Sequence, residues 1–224
     1  NSSKCVACLP GFELLADNVC CKAGYHCEDC TNNSQTCGRC KSGSATVANG
    51  MCCKSGFNCK TCITSESVCD SCDSGNSITS TGMCCNSGLK NCAACNSTQM
   101  DLCTTCNTGF VRITDTTCCK SGFNCGSCDD NSQVCNSCGS GSSKVASGMC
   151  CNSSLINCAQ CDLTNSSKCI ACNPGFELIS DTMCCKTGYH CKSCLNTESV
   201  CNTCSIGSSV SPTSGMCCKS GYHC

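Results

Sequence analysis

The chain has 224 residues, a net charge of −1 from 14 basic and 15 acidic side chains, and 41 cysteines. Leu, Ile, Val and Phe supply only 30 residues and Trp is absent, so hydrophobic burial alone cannot offset the entropy of folding. A fold of this composition must be crosslinked by disulfides or by metal. The balanced charge offers no basic field for nucleic acid, and no apolar run approaches the roughly 18 residues that span a bilayer.

The cysteines recur in a cycle of six along the whole chain. A C-x2-C pair is followed by a CC pair and then by a second C-x2-C pair, and the cycle restarts every 32 or 34 residues. Because repeats of this length stack on their neighbours, the pattern predicts a small disulfide-rich repeat protein. We expect an elongated rod or solenoid of short β-hairpins and turns, with little or no helix. The predicted repeats are 5–36, 37–68, 69–102, 103–134, 135–168, 169–200 and a truncated 201–224.

Each repeat is predicted to contain one or two short hairpins, with the C-x2-C pairs at the turns. In the first repeat, the run that begins at Phe12 alternates in polarity up to the CC pair at Cys20 and Cys21. Every aromatic residue follows a glycine, so we expect a tight turn whose ring covers an adjacent disulfide. Met usually precedes the CC pair and is predicted to pack against the same sulfurs.

Three chemistries fit the cysteines, and disulfide bonding is the favoured one. The C-x-C steps of metallothioneins are absent, and the few basic side chains could not neutralise a polythiolate. Metal binding by C-x2-C pairs and a redox-active C-x2-C dithiol are the alternatives. The connectivity stays open, except that each CC pair is expected to send one bond back and one forward, because adjacent cysteines rarely bond each other. The cysteines of the first repeat are Cys5, Cys8, Cys20, Cys21, Cys27 and Cys30.

No catalytic constellation recurs, so the sequence predicts neither an enzyme nor a cofactor or metal site. The three histidines, His26, His190 and His223, each precede a cysteine at a position where other repeats carry Asn, which argues against a ligand role. An aspartate recurs five residues after the Phe of the Gly-Phe pair, and turn capping is favoured there over calcium binding. These aspartates are Asp17, Asp115 and Asp181.

Two further features bear on where the chain works. N-x-[S/T] sequons predict N-glycosylation of a secreted surface, although such sequons also arise by chance in Asn- and Ser-rich sequence. They stand at Asn1, Asn32, Asn96, Asn152 and Asn165. Cys224 is the first half of a C-x2-C pair, so the odd cysteine count is expected to mark a cut within a repeat of a longer molecule.

The run CVACLPGFELLADNVC, from Cys5 to Cys20, resembles the furin-like, growth-factor-receptor type cysteine-rich repeats. Such repeats are abundant in variant surface proteins of flagellate parasites and in immobilisation-antigen-like surface proteins of ciliates. The resemblance implies an extracellular, protease-resistant rod on a cell surface or in a secreted fibre, without enzymatic activity.

The leading functional hypothesis is an extracellular structural protein that self-associates to form or coat a filament or cell-surface layer. The alternative is a surface antigen or adhesion ectodomain that acts as a stalk. Metal storage by a cysteine-rich protein is a third hypothesis, which thiol titration with metal analysis would decide.

Overall fold

The structure is a computed structural model that describes residues 7–15, 19–30, 35–129, 133–195 and 200–220. Within these ranges every regular element is a β-strand, and the strands form twelve two-stranded sheets. The prediction of a disulfide-rich repeat built from short β-hairpins without helix is therefore confirmed. The chain divides into two compact units, Asn1–Thr108 with Thr114–Cys118, and Gly109–Ile113 with Cys119–Cys224.

The first unit contains ten complete strands, each of three or four residues. They are β1 (Phe12–Leu14), β2 (Cys20–Lys22), β3 (Cys27–Cys30), β4 (Cys37–Cys40), β5 (Ser44–Thr46), β6 (Cys52–Lys54), β7 (Asn76–Ile78), β8 (Cys84–Asn86), β9 (Cys92–Cys95) and β10 (Cys103–Cys106).

The strands of the second unit follow the same order. The boundary between the two units falls within β12, after Cys118. These strands are β11 (Phe110–Arg112), β12 (Cys118–Lys120), β13 (Cys125–Ser127), β14 (Ser137–Cys138), β15 (Ser142–Lys144), β16 (Cys150–Asn152), β17 (Cys158–Cys161), β18 (Cys169–Cys172), β19 (Phe176–Ser180), β20 (Met183–Lys186), β21 (Cys191–Cys194), β22 (Cys201–Cys204), β23 (Ser208–Val210) and β24 (Cys217–Lys219).

Two kinds of hairpin alternate along the chain. The first kind, the CC hairpin, pairs the strand that follows the opening C-x2-C with the strand that contains the CC pair. In the first repeat β1 and β2 are antiparallel, with Glu13 opposite Cys21 and Leu14 opposite Cys20. Neighbouring residues of a strand point to opposite faces, so the two cysteines of a CC pair are aimed at different partners.

The second kind, the C-x2-C hairpin, joins consecutive repeats. It pairs the last C-x2-C of one repeat with the first C-x2-C of the next, as in β3 and β4, where Cys27 lies opposite Cys40 and Cys30 opposite Cys37. The prediction that C-x2-C pairs lie at turns is therefore wrong for most of the described repeats, because most of these pairs form the strands themselves. A four-residue strand with a shifted register carries one cysteine at each end, and each can bond a different neighbour.

The core of each unit consists mainly of cystine sulfur. Most cysteines of the CC pairs and of the C-x2-C strands are buried, and several have no exposed surface. Among the described residues, the buried apolar side chains other than cysteine are Met51, Met83, Leu89, Ala93, Phe123, Met149 and Leu155. Disulfides therefore provide most of the buried apolar atoms as well as the crosslinks.

Aromatic rings pack against these sulfurs, as predicted from the Gly-aromatic pattern. Phe57 contacts a cluster of buried cysteines in the first unit, and Phe123 belongs to such a cluster in the second. The lysine that follows the CC pair lies over each ring, with Lys54 Nζ 4.3 Å from the centroid of Phe57 and Lys120 Nζ 4.5 Å from that of Phe123. Each ring is thus held by apolar contact and by a cation–π interaction.

Candidate functional site: the disulfide ladder

Nineteen disulfides connect 38 of the described cysteines in one repeating order. In the first repeat Cys8 bonds Cys20 and Cys21 bonds Cys30. Cys27 then bonds Cys37, the first cysteine of the next repeat. The same three bonds recur along the chain, with partners only 9 to 13 residues apart in sequence. Each of the first six repeats is therefore closed by two bridges of its own and joined to the next repeat by a third.

The CC pairs behave as the strand geometry requires. The first cysteine of each pair bonds back to the opening C-x2-C, and the second bonds forward to the last C-x2-C. This confirms the prediction of one bond in each direction. Of the six cysteines predicted for the first repeat, Cys5 lies outside the described residues, and the structure brings the other five into this order.

No C-x2-C pair among the described residues is bonded within itself, so none has the internal bridge of a redox dithiol. Two groups of three sulfurs lie close enough together to hold a metal ion, with all Sγ atoms within 4.8 Å of one another. These groups are Cys103, Cys106 and Cys118, and Cys169, Cys172 and Cys184. Their sulfurs are already bonded as disulfides, which lack the thiolate charge that metal binding needs.

The close approach of disulfides in these two groups was not predicted from the sequence. The Sγ atoms of Cys103 and Cys118 belong to different bridges, yet they are 3.7 Å apart. The Sγ atoms of Cys169 and Cys184 show the same spacing. Both groups follow a repeat of 34 residues, which has one extra residue before its last C-x2-C and one after it. The longer repeat was the one sequence feature that could have indicated the close approach of these disulfides.

The position shared by histidine and asparagine has a backbone role. His26, Asn58, Asn91, Asn124, Asn157 and His190 all have φ between 51° and 55°. Asn and His enter this left-handed region more readily than most residues, which explains why both occupy the position. His223 lies outside the described residues. Asn91 also donates a hydrogen bond from Nδ2 to the carbonyl of Cys118 at 2.9 Å, and His26 Nε2 lies 2.8 Å from the carbonyl oxygen of Cys62.

Substitution of Asn91 should separate these two roles. We expect Asn91→Ala to destabilise the local structure by about 2 kcal/mol, because it adds left-handed strain and removes one hydrogen bond. Asn91→Gly loses only the hydrogen bond and should cost about half as much, and Asn91→His should be tolerated. Hydrogen exchange of the Cys118 amide, which donates to the carbonyl of Lys90, measures the effect. Equal protection of this amide in the Asn91→Ala and Asn91→Gly variants would contradict the contribution of left-handed strain.

Two of the three recurring aspartates fall within the described residues. Asp17 lies outside the described residues. The backbone carbonyls of Asp115 and Asp181 accept hydrogen bonds from the amides of Cys103 and Cys169. The carboxylate of Asp181 is exposed and lies 3.6 Å from Lys168 Nζ. The backbone of Asp115 and that of Asp181 thus tie the CC hairpin to the start of the same repeat.

Two other aspartates cap the loops between repeats. The Asp162 carboxylate accepts hydrogen bonds from the hydroxyl and amide of Thr164 at 2.6 and 2.8 Å, and from the amide of Asn165. These bonds, led by the Thr164 hydroxyl, hold the pKa of the Asp162 carboxyl below its ordinary value. Asp70 has the same relation to Thr64, and its pKa is lowered for the same reason.

Removal of the capping hydroxyl should raise the pKa of its partner. Thr164→Val preserves the side-chain shape, and we expect it to raise the pKa of Asp162 toward the ordinary value of 3.8 without changing that of Asp70. Thr64→Val should raise the pKa of Asp70 without changing that of Asp162. Because the folded-state pKa is lowered, the stability gained from each cap is present above about pH 4 and is lost as the pH falls through the folded-state pKa. Carboxyl NMR titration of both variants measures the shifts, and a common shift at both sites would contradict local capping.

Three of the five predicted sequons fall within the described residues. Asn96 and Asn152 are half-buried and Asn165 is exposed, whereas Asn1 and Asn32 lie outside. The amide oxygen of each described sequon accepts a hydrogen bond from the backbone N–H two residues further on, at 2.9–3.0 Å. All three therefore lie in side-chain-capped turns.

Comparisons with known proteins leave the resemblance to furin-like repeats without support from a match. Neither a protein-family model nor a curated protein matches this chain. Among the described residues, no helix is long and apolar enough to cross a membrane. The tandem, disulfide-laddered hairpin repeat is of a cysteine-rich type, and an architecture so dependent on disulfides is typical of extracellular proteins.

Proposed function

We propose that the chain is an extracellular structural protein whose repeats form or coat a filament or a cell-surface layer. The observation that carries the proposal is the third bridge of the ladder, which joins each repeat covalently to the next, as Cys27 does with Cys37. Because the same bridge recurs at each junction between repeats, further repeats can be added with the same bonding pattern. The proposal assigns the chain a mechanical role and no catalytic activity.

The contacts between repeats support a regular arrangement. From the second repeat on, the amide of the first cysteine of the CC pair donates to a carbonyl in the preceding repeat, as Cys52 does to Tyr25 and Cys150 does to Phe123. These hydrogen bonds are 2.8–2.9 Å long and recur beside the bridge that crosses between the same repeats. Successive repeats therefore have both a covalent link and a fixed backbone register, which suits a chain that bears load or covers a surface.

The proposal also covers the repeat family and the glycosylation of the chain. We take the repeats to be of the furin-like type found in surface proteins of protists, and the described sequons at Asn96, Asn152 and Asn165 to carry glycans. Their position in surface turns supports glycosylation, because an acceptor asparagine must be reached by the transferase.

Secreted, disulfide-intact protein should be studied by small-angle scattering and by negative-stain electron microscopy over a range of concentrations. A compact chain of this length has a radius of gyration of about 17 Å. We expect a clearly larger value, with end-to-end or lateral assemblies at high concentration. Compact particles that stay monomeric would overturn the proposal, and extended particles that stay monomeric would favour the stalk of a surface antigen or adhesion protein.

A further inference from the structure

Two junctions of the ladder bring separate disulfides into contact. At the first, the bridges Cys92–Cys103 and Cys106–Cys118 approach through Cys103 and Cys118, whose Sγ atoms are 3.7 Å apart. At the second, Cys158–Cys169 and Cys172–Cys184 approach in the same way. Each junction lies within one compact unit.

The other described repeats lack this geometry. Their corresponding three sulfurs, such as those of Cys37, Cys40 and Cys52, do not all lie within 4.8 Å of one another. The 34-residue repeat length accounts for the difference, since the extra residue after the last C-x2-C lengthens the loop closed by the linking bridge from 10 to 11 residues.

Exposure distinguishes the four cysteines of a junction. Cys103 and Cys118 are fully buried and Cys92 is 8% exposed, whereas Cys106 is half-buried. A thiol from solution can therefore reach the bridge Cys106–Cys118 most readily at Cys106. The sulfur released by that attack, Cys118, lies in the interior beside the neighbouring bridge, where a second molecule of thiol cannot easily reach it.

We propose that these junctions are thiol-exchange sites at which a low-molecular-weight thiol becomes attached to Cys106 and Cys172. The thiolate attacks Cys106 Sγ, the mixed disulfide forms, and the electron pair of the broken bond leaves on Cys118 Sγ. The Cys118 thiolate then attacks Cys103 Sγ, so that a Cys103–Cys118 bond forms and the bond of Cys103 to Cys92 breaks.

The exchange balances without an oxidant or a reductant. One thiol is consumed and one is released, because Cys92 leaves as a thiolate and takes a proton from water. The second attack is favoured because the two sulfurs are held together, which gives a high effective concentration. The second junction reacts in the same way, with Cys184 attacking Cys169 and Cys158 released. This reactivity does not depend on filament assembly.

The test is disulfide mapping of the oxidised full chain after brief treatment with reduced glutathione near pH 8. The reaction is stopped by alkylation, and peptides are identified by tandem mass spectrometry. We expect Cys103–Cys118 and Cys169–Cys184 links, with glutathione on Cys106 and Cys172 and the alkyl group on Cys92 and Cys158. The matched control is the 32-residue repeat, in which a Cys37–Cys52 link should be at least about tenfold rarer.

Two results would overturn the proposal. The first is native pairing throughout, with only simple reduction at exposed bridges. The second is non-native links spread evenly over all repeats, which would indicate general scrambling. A Cys92→Ser/Cys103→Ser double variant removes the receiving bridge, so alkylation should move from Cys92 to Cys118 while the second junction reacts as before. Because the second junction stays intact in that chain, it reports whether exchange still proceeds if the variant disturbs the first.

Discussion

Complete reduction is expected to abolish the β-structure of both units and to leave a chain that proteases digest throughout. Each bridge closes a loop of 9 to 13 residues, for which the loss of unfolded-state entropy contributes about 2.7 kcal/mol. Among the described residues, the buried apolar side chains other than cysteine are few, so they form no separate hydrophobic core that could replace the bridges.

Far-UV circular dichroism and limited proteolysis, before and after reduction and alkylation, measure this loss. The control is the same chain treated with the alkylating reagent alone, which should retain its spectrum and its resistance because the bridges of the ladder stay intact. A fully alkylated chain that keeps its β-spectrum and resists digestion would show that backbone hydrogen bonds and the few buried side chains suffice.

The second large effect is expected from Gly148→Ala. Gly148 has φ +82°, and a Cβ added there would lie 2.3 Å from Cγ1 and 2.6 Å from Cβ of Val134. Left-handed strain of about 1–2 kcal/mol adds to an overpacking cost of about 1–3 kcal/mol. We expect a loss of about 3 kcal/mol in local stability, measured by hydrogen exchange of the Cys135 amide, which donates to the carbonyl of Gly148.

Gly141 provides the matched control for this prediction. It has φ +76° in the same repeat, but an added Cβ would meet nothing within 4 Å. Gly141→Ala should therefore show the strain alone, at about 1–2 kcal/mol. In a Val134→Gly background the steric part should disappear, and the cost of Gly148→Ala should fall to that of the control. Equal costs for both glycines in the parent chain would contradict the clash.

Part of the ladder could be predicted because strand geometry leaves few choices. Neighbouring residues of a strand face opposite ways, so the bonds of a CC pair had to run in different directions. The choice of partner could not be predicted, since loops of 9 to 13 residues differ little in closure entropy and several cysteines stand at such distances. The bond from Cys27 to Cys37 depends on the pairing of β3 with β4, which is a contact between repeats.

The position shared by Asn and His carried sequence information about the backbone as well as about ligand binding. The alternation of Asn and His at this position also indicates a left-handed backbone, which the structure records at His26 and Asn91. The sequence of the C-x2-C segments predicts turns, because small polar residues surround the cysteines as they do in turn sequences. Their extended form comes from pairing with the next repeat and from bridges at both ends, which local propensity does not report.

The short sequence span of the bridges also determines whether cleavage of one peptide bond can separate the chain into two fragments. A nick between Cys40 and Cys52, or between Cys27 and Cys37, leaves both fragments tied by the bridge that encloses it. The peptide bonds that no bridge encloses lie between the two cysteines of a CC pair and within the opening C-x2-C. The described CC pairs lie in paired strands, and so do most of the described opening C-x2-C pairs. Proteolysis in the loops would therefore nick the described chain repeatedly while every fragment stayed covalently attached to its neighbours.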